Sequence, residues 1–310
     1  MKIESLVKTK IIFFLSPEVT GAERVSITMA KQLSEDEYEV AFAIIGNSFG
    51  DILSFIPHQY PYHLVPLLRI EDYLRSERPD EVFCSLIHLN DEVVKASRQV
   101  GGIKVTLRNN YNLSDVSSCL VEKAKYAYPK ADMVIAQTER MKQELIDVCD
   151  VPEEIIKVKD NPVDTDYIDE KLRGVSSSYP NDGLKHFCWI GRYDYIKGVD
   201  LLIDAFAKAV KLNTKISLYM IGSIDEDNLY YQTILEMVKS NGLQNTVHFV
   251  GFESNPYKWM KYADCLICSS RSEANSNVLK EAVYLGTPVI STCNPEQMAQ
   301  MILGQSKQFN

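Results

Sequence analysis

No stretch of this 310-residue chain approaches the roughly 18 uncharged apolar residues needed to cross a bilayer. Its start, Met1 to Lys10, alternates charges with apolar residues and lacks a signal-peptide core and cleavage site, which predicts a cytoplasmic protein. Neither G-x-G-x-x-G nor a P-loop occurs, so dinucleotide oxidoreduction and P-loop phosphoryl transfer lack their usual phosphate loops. The 7 cysteines are odd in number and scattered through strand-like and helix-like segments, the pattern of reduced thiols and not of a disulfide framework. Cys265 and Cys268 have C-x-x-C spacing, but Leu266 and Ile267 between them read as strand, and no second ligand pair follows. The 5 histidines (His58, His63, His88, His186, His248) show no metal-ligand spacing on a predicted helix. Low-complexity tracts and repeats of 20 to 50 residues are also missing.

Basic excess is absent too. The net charge is −9, and it is uneven: residues 1–170 carry 19 basic and 29 acidic side chains, whereas 171–310 are close to neutral. That balance excludes the basic face a nucleic-acid partner needs and offers no polybasic membrane patch. A small cluster, Lys123, Lys125 and Lys130, reads either as a lipid contact or as a solvated helix face. Apolar content of 45% and charged content of 24% are those of a folded globular chain, and the length predicts two domains.

Short apolar runs alternate with helical patterns from end to end, the signature of parallel sheets built from βα units. Strands are predicted at Ile11 to Leu15, Val40 to Ile45, Glu81 to Leu86, Ile103 to Leu107 and Met133 to Ala136, with helices clearest at Glu23 to Leu33 and Glu139 to Val148. The stretch RGVSSSYPNDGL, Arg173 to Leu184, is rich in Ser, Pro, Gly and Asn and reads as an interdomain linker. The pattern then restarts. Strands are expected at His186 to Ile190, Ile216 to Ile221, Val247 to Val250, Cys265 to Cys268 and Pro288 to Ser291; helices lie between them at Val199 to Lys211, Asn228 to Ser240, Pro256 to Tyr262 and Asn277 to Leu285. The expected domains are therefore 1–172, a linker at 173–184, and 185–310, two Rossmann-like α/β units facing across a cleft at the carboxyl ends of their strands.

Three segments carry chemistry. In SEANSNVLKEAVYLGTPVI, Ser272 to Ile290, Glu273 falls in a loop and Glu281 in the following helix, whose apolar side takes Val278, Leu279, Ala282, Val283 and Leu285. A helix N-terminus presents N–H groups and the positive dipole end to a pyrophosphate, and a carboxylate further along accepts hydrogen bonds from a ribose diol. Two ordinary solvated glutamates fit the same letters. In GRYDYIKG, Gly191 to Gly198, Arg192 and Lys197 lie at a strand's carboxyl end, where a guanidinium and an ammonium can hold a diphosphate and offset its charge as it leaves. Asp194 is equally placed to pair with one of them. In SPEVTGAERV, Ser16 to Val25, Gly21 at a helix start lets backbone approach a ligand, and a plain turn capped by Thr20 explains the same residues.

Together these segments resemble the retaining glycosyltransferases of the GT-B fold often called glycosyltransferase group 1. TGAERV resembles that family's GGAE turn, ADMVIAQTERMKQEL (131–145) and KDNPVD (159–164) its segments before the linker, GRYDYIKG its phosphate-binding loop, and Ser272 to Ile290 its E-x7-E donor site. The resemblance implies that Arg192 and Lys197 bind the donor's diphosphate and Glu281 its ribose. Glu273 would sit beside the transferred sugar, the amides of Ser276, Asn277 and Val278 would complete the phosphate site, and Gly251 to Glu253 would lie beside the base. Gly21 would approach the donor, and Arg108 in TLRNNYN would reach the acceptor unless it is a structural arginine. It further implies transfer of a hexose-type sugar with retained configuration by front-face attack, without cofactor or bound metal, from a nucleotide-diphosphate donor, UDP-sugar foremost. The acceptor would be a glycan or lipid-linked glycan of a surface polysaccharide, met at the inner face of the membrane by peripheral association, with no nucleic-acid partner. Two other readings stand beside it: a noncatalytic sugar-nucleotide-binding relative and a sugar-nucleotide epimerase.

Two departures from the family pattern are visible. Ala274 and Asn275 replace the usual Gly and bulky residue after the first glutamate. After TPVI the chain runs STCNPEQMAQMILGQSKQFN where relatives continue with another βα stretch and a helix crossing to the first domain; this predicts a shortened C-terminal domain with apolar sheet surface exposed.

Overall fold

A computed structural model describes residues 7–273, 275–292 and 294–307, so Ala274 lies outside the described residues. The chain divides into two compact units, Met1–Val163 and Asp164–Asn310.

Unit 1 runs β1 (Thr9–Leu15), α1 (Gly21–Lys31), β2 (Tyr38–Ile45), β3 (Tyr62–Val65), α2 (Ile70–Glu77), β4 (Glu81–Cys84), α3 (Asn90–Val100), β5 (Lys104–Arg108), α4 (Ser118–Ala127), β6 (Met133–Ala136), α5 (Glu139–Cys149) and β7 (Ile156–Val158). Its seven strands are parallel in the order β3-β2-β1-β4-β5-β6-β7. Parallel strands joined by helical crossovers are covered on both faces, which is why β1 reads as a continuous apolar run instead of an alternating one. Phe13 and Leu15 pack with Phe42 and Ile44 in one apolar layer, while Ile12 and Phe14, also buried, point to the opposite face.

Unit 2 opens with α6 (Thr165–Leu172) and continues β8 (Lys185–Ile190), α7 (Val199–Leu212), β9 (Ile216–Ile221), α8 (Leu229–Ser240), β10 (Val247–Gly251), α9 (Tyr257–Tyr262), β11 (Cys265–Cys268), α10 (Asn277–Tyr284), β12 (Val289–Ser291) and α11 (Pro295–Lys307). The sheet is again parallel, ordered β10-β9-β8-β11-β12. Along β8, Phe187 and Trp189 join the layer beneath α7 and α8, and Cys188 joins the opposite layer with Trp259, Met260 and Leu266. The two α/β units expected from the sequence are present.

The boundary differs from expectation. Residues 173–184 pack against unit 2, as does α6 before them: Asn255 donates to Lys171 O (2.7 Å), Tyr262 to Val175 O (2.8 Å) and Tyr179 to Trp259 O (2.7 Å), and the Tyr179 ring stacks on His186. Aromatic and amide anchors hold a stretch that its Ser, Pro and Gly content marks as a linker. The tail differs as well. Residues 295–307 form α11, whose Met298 and Ile302 are fully buried in the α7 layer, with a Lys208–Glu296 ion pair (2.5 Å) alongside. Apolar surface expected to be bare is covered there. The apolar face of α10 is narrower than its pattern suggests, since Val283 is exposed.

Candidate donor site of unit 2

In unit 2 the chain proceeds outward from β8 through β9 to β10, then returns to place β11 and β12 on β8's other side. Strand order therefore reverses between β8 and β11, and the loops leaving their carboxyl ends part there; open α/β sheets bind ligands at such a point. GRYDYIKG is the loop after β8, and Ser269 to Glu273 is the loop after β11.

These two loops bring Lys197 and Glu273, 76 positions apart, into an ion pair of 2.7 Å. The approach is made possible by Gly198. It has φ +60°, and a Cβ there would stand 2.2 Å from Ser269 O, so only glycine allows the turn to lie against the end of β11. Ser269 Oγ donates to Lys197 O (2.8 Å), and Ser270 Oγ donates to the same Glu273 oxygen that meets the ammonium (2.7 Å). Gly222, after β9, is equally constrained: a Cβ would meet Gly191 O at 2.0 Å.

Arg192 is exposed, its side chain 75% open and paired with Asp194 at 3.2 Å. The alternative reading of Asp194 as an ion-pair partner thus holds for Arg192, and Asp194 also accepts from Lys197 N (3.2 Å), shaping the turn. Beside them a pocket of about 320 Å³ is lined by Arg192, Tyr193, Asp194, Ser223, Asp225, Asn228 and Tyr231.

Glu281 sits in the second turn of α10, 7% exposed, with Tyr257 Oη donating to it at 3.3 Å. Ser276 is the N-cap of α10 and makes no side-chain cap hydrogen bond, followed by Asn277 and Val278 in the first turn. Glu253 pairs with Lys258 at 2.7 Å just after Gly251, which has φ +88°.

Two expected residues belong to unit 1. Gly21 begins α1 at the carboxyl end of β1, where Thr20 and Glu23 form a capping box, so the capping alternative describes this turn. Arg108, at the end of β5, is 1% exposed; its guanidinium donates to Asn110 and Asn161, and burial pulls its pKa down to about 10. The guanidinium is thus enclosed by amides, Asn110 and Asn161, at the carboxyl end of β5. Lys123, Lys125 and Lys130 are each engaged within unit 1, by Asp91, Glu122 and the Tyr126 ring respectively.

The residue missed from sequence is Arg271. Its guanidinium forks onto Asp200 (2.7 and 2.6 Å), donates to Tyr195 O (2.8 Å) and lies 3.9 Å from the centre of the Tyr195 ring. Burial raises the Asp200 carboxyl, but hydrogen bonds from Arg271 and Tyr230 outweigh it and hold the group below the usual aspartate range. A lone arginine in the polar run Ser269 to Ser272 was the available signal. Among the described residues no group of three His, Cys, Asp or Glu side chains is arranged to hold a metal ion, and no helix is long and apolar enough to cross a membrane.

Two parallel α/β units are the architecture shared by GT-B glycosyltransferases, and comparison with known proteins supports that fold. Residues 19–167 match the family model for Glycosyltransferase Family 4 and residues 176–307 that for Glycosyl transferases group 1, so the chain belongs to the group 1 glycosyltransferases of GT-B fold. It is 29% identical over 197 residues to an uncharacterised glycosyltransferase of Methanocaldococcus jannaschii, with 60% of this chain and 47% of that protein covered. It is 27% identical over 187 residues to the N-acetylgalactosamine-N,N'-diacetylbacillosaminyl-diphospho-undecaprenol 4-alpha-N-acetylgalactosaminyltransferase of Campylobacter jejuni, again 60% and 47%. The chain thus spans about half the length of these two relatives. N-acetyl-alpha-D-glucosaminyl L-malate synthase of Bacillus anthracis is 22% identical, with 92% and 79% covered. Among solved structures, Anabaena HepE in complex with UDP and glucose superposes with a TM-score of 0.81 at 17% identity, covering 97% of this chain and 90% of that one, a likeness of fold.

Proposed function

We propose that this chain transfers a hexose-type sugar, with retention of anomeric configuration, from a nucleotide-diphosphate donor to a glycan or lipid-linked acceptor in surface polysaccharide or glycolipid synthesis. The observation that carries the reading is the Lys197–Glu273 pair at the strand-order reversal of the second sheet, with Arg192 on the same loop. Lys197 and Arg192 would take the diphosphate and stabilise it as the leaving group, a task two cations can perform once they close on it. Glu273 would hold the sugar, Glu281 the ribose diol, and the start of α10 at Ser276, Asn277 and Val278 the phosphate oxygens. Gly251 to Glu253 would flank the base. A UDP-sugar is the favoured donor, supported by the UDP bound in Anabaena HepE, and a lipid-linked acceptor is supported by the undecaprenol-linked substrate in the name of the Campylobacter relative.

The leaving diphosphate would itself draw the proton from the acceptor hydroxyl, so no protein base is assigned. The test is Arg192→Ala, at an exposed position where folding has little at stake. With UDP-, GDP- and ADP-sugars offered in turn, the parent should transfer or hydrolyse one of them, and the variant should lose about 10²-fold in turnover while keeping the parent's melting temperature. Equal turnover sinks the assignment, and nucleotide binding without turnover across the panel would favour a noncatalytic relative.

A further inference from the structure

We propose that Arg271 is a positioning residue, which clamps the 195–200 turn to the segment after β11 and thereby sets Lys197 beside Glu273. Around Lys197 the turn has few apolar holds: Tyr195 is 64% and Ile196 41% exposed, Gly198 contributes no side chain, and the buried Val199 anchors only its far end. Apart from the Asp194 cap on Lys197 N, the polar anchors of residues 195–197 come from Ser269 to Arg271. Arg271 N–H donates to Ile196 O (2.7 Å), its guanidinium to Tyr195 O, and Ser269 Oγ to Lys197 O, so three successive carbonyls of the turn are taken by one short segment.

The same guanidinium grips Asp200 in the first turn of α7, and Tyr230 Oη from α8 donates to one of the same carboxylate oxygens, Oδ1 (2.6 Å). Both flanks of Lys197 are therefore fixed by one side chain, whose position is fixed in turn by a third element. A lysine at 271 would lack the planar fork needed to meet both carboxylate oxygens and a carbonyl together. Arg271 need not touch a substrate: its effect is relayed through Lys197, and an ångström-scale displacement of that ammonium is the expected consequence of losing the clamp.

The effect on turnover rests on the donor-site reading above, but the placement of Lys197 does not, and the experiment separates them. Acetylation of Lys197 by an N-hydroxysuccinimide ester is followed by peptide mass spectrometry in the parent, Arg271→Ala, Arg271→Lys, Asp200→Asn and Glu273→Gln. Lys208, paired with Asp204 and Glu296, serves as internal reference. Releasing Lys197 from Glu273 should raise its labelling about two- to five-fold, the range expected for loss of a partly exposed ion pair. Glu273→Gln sets the ceiling, Arg271→Ala and Asp200→Asn approach it, Arg271→Lys falls between, and Lys208 is unchanged. Parent-like Lys197 labelling in folded Arg271→Ala and Asp200→Asn overturns the proposal, whatever happens to their melting temperatures. In a second arm, UDP affinity should fall by roughly 10²-fold at most in Arg271→Ala, with partial rescue in Arg271→Lys. If the parent binds no UDP, the donor reading fails, and the labelling result still decides the clamp.

Discussion

Replacing Gly198 by alanine should disturb unit 2 more than the same change at Gly242. Two costs add. A side chain at φ +60° carries about 1 kcal/mol of left-handed backbone strain. The new Cβ would also stand 2.2 Å from Ser269 O, a backbone atom that moves only if the end of β11 moves with it, and overpacking of that kind costs roughly 1–3 kcal/mol. Gly242 is the matched control: it has φ +68°, lies in the same unit, and a Cβ added there would meet nothing within 4 Å, so Gly242→Ala carries the strain alone. The difference between the two variants isolates the close approach of the two loops. The assay is urea unfolding followed by tryptophan fluorescence, since both tryptophans of the chain, Trp189 and Trp259, are buried in unit 2 and report only that unit. Gly198→Ala should lose about 2–4 kcal/mol and Gly242→Ala about 1. Equal losses would refute the argument that the loop after β8 is held against the loop after β11 by the absence of a side chain.

Asp200→Asn should be destabilising by about 1–3 kcal/mol near neutral pH, the worth of charge-assisted hydrogen bonds to Arg271. Because the folded carboxyl titrates below its ordinary value of 3.8, its contribution is present above that pH and fades as pH falls through the folded value. The gap in melting temperature between parent and variant should thus close on acidification; a constant gap from pH 7 to pH 3 would count against the ion pair. Among the described cysteines, Cys119 is exposed, whereas burial pushes the Cys84 and Cys265 thiols up to about 12 and Cys149 to about 11. Native alkylation at pH 8 should therefore mark Cys119 first and the other three only after denaturation. Labelling of Cys149 at the rate of Cys119 would contradict its burial.

The elements that build the site were legible because their periodicities are strong. β8, β9 and β11 are predominantly apolar runs, broken only by Lys185 and His186 at the start of β8 and by Ser217 in β9, and α7 carries Leu202, Ile203 and Phe206 at helical spacing. β3 and β7 were not legible. They are sheet-edge strands of four and three residues, flanked by proline or carrying solvent-facing charge, so neither period nor burial marks them. Residues 295–307 were not legible as an element either, because no helical period in this short stretch says which of Met298, Ala299, Met301, Ile302 and Leu303 is buried until α7 supplies the surface to be covered. Lys197 and Glu273 were identified by motif, yet nothing local says they touch; that follows from β8 and β11 being neighbours. Arg271 and Asp200 lie 71 positions apart, with no period or motif linking them, and only the folded sheet joins them. Arg108 shows the converse. A cation after a strand looks the same in sequence whether it faces solvent or is enclosed by amides, and here Asn110 and Asn161 enclose it.

The ion pair between Lys197 and Glu273 means that the ammonium at the strand-order reversal is already compensated before any anion arrives. If Lys197 takes the proposed diphosphate, the phosphate would have to share or displace that carboxylate as well as water, and binding would be in part an exchange of counter-charges. Glu273→Gln would then ease anion capture while removing the group proposed to hold the sugar, so tightness and discrimination would be set against each other at one side chain.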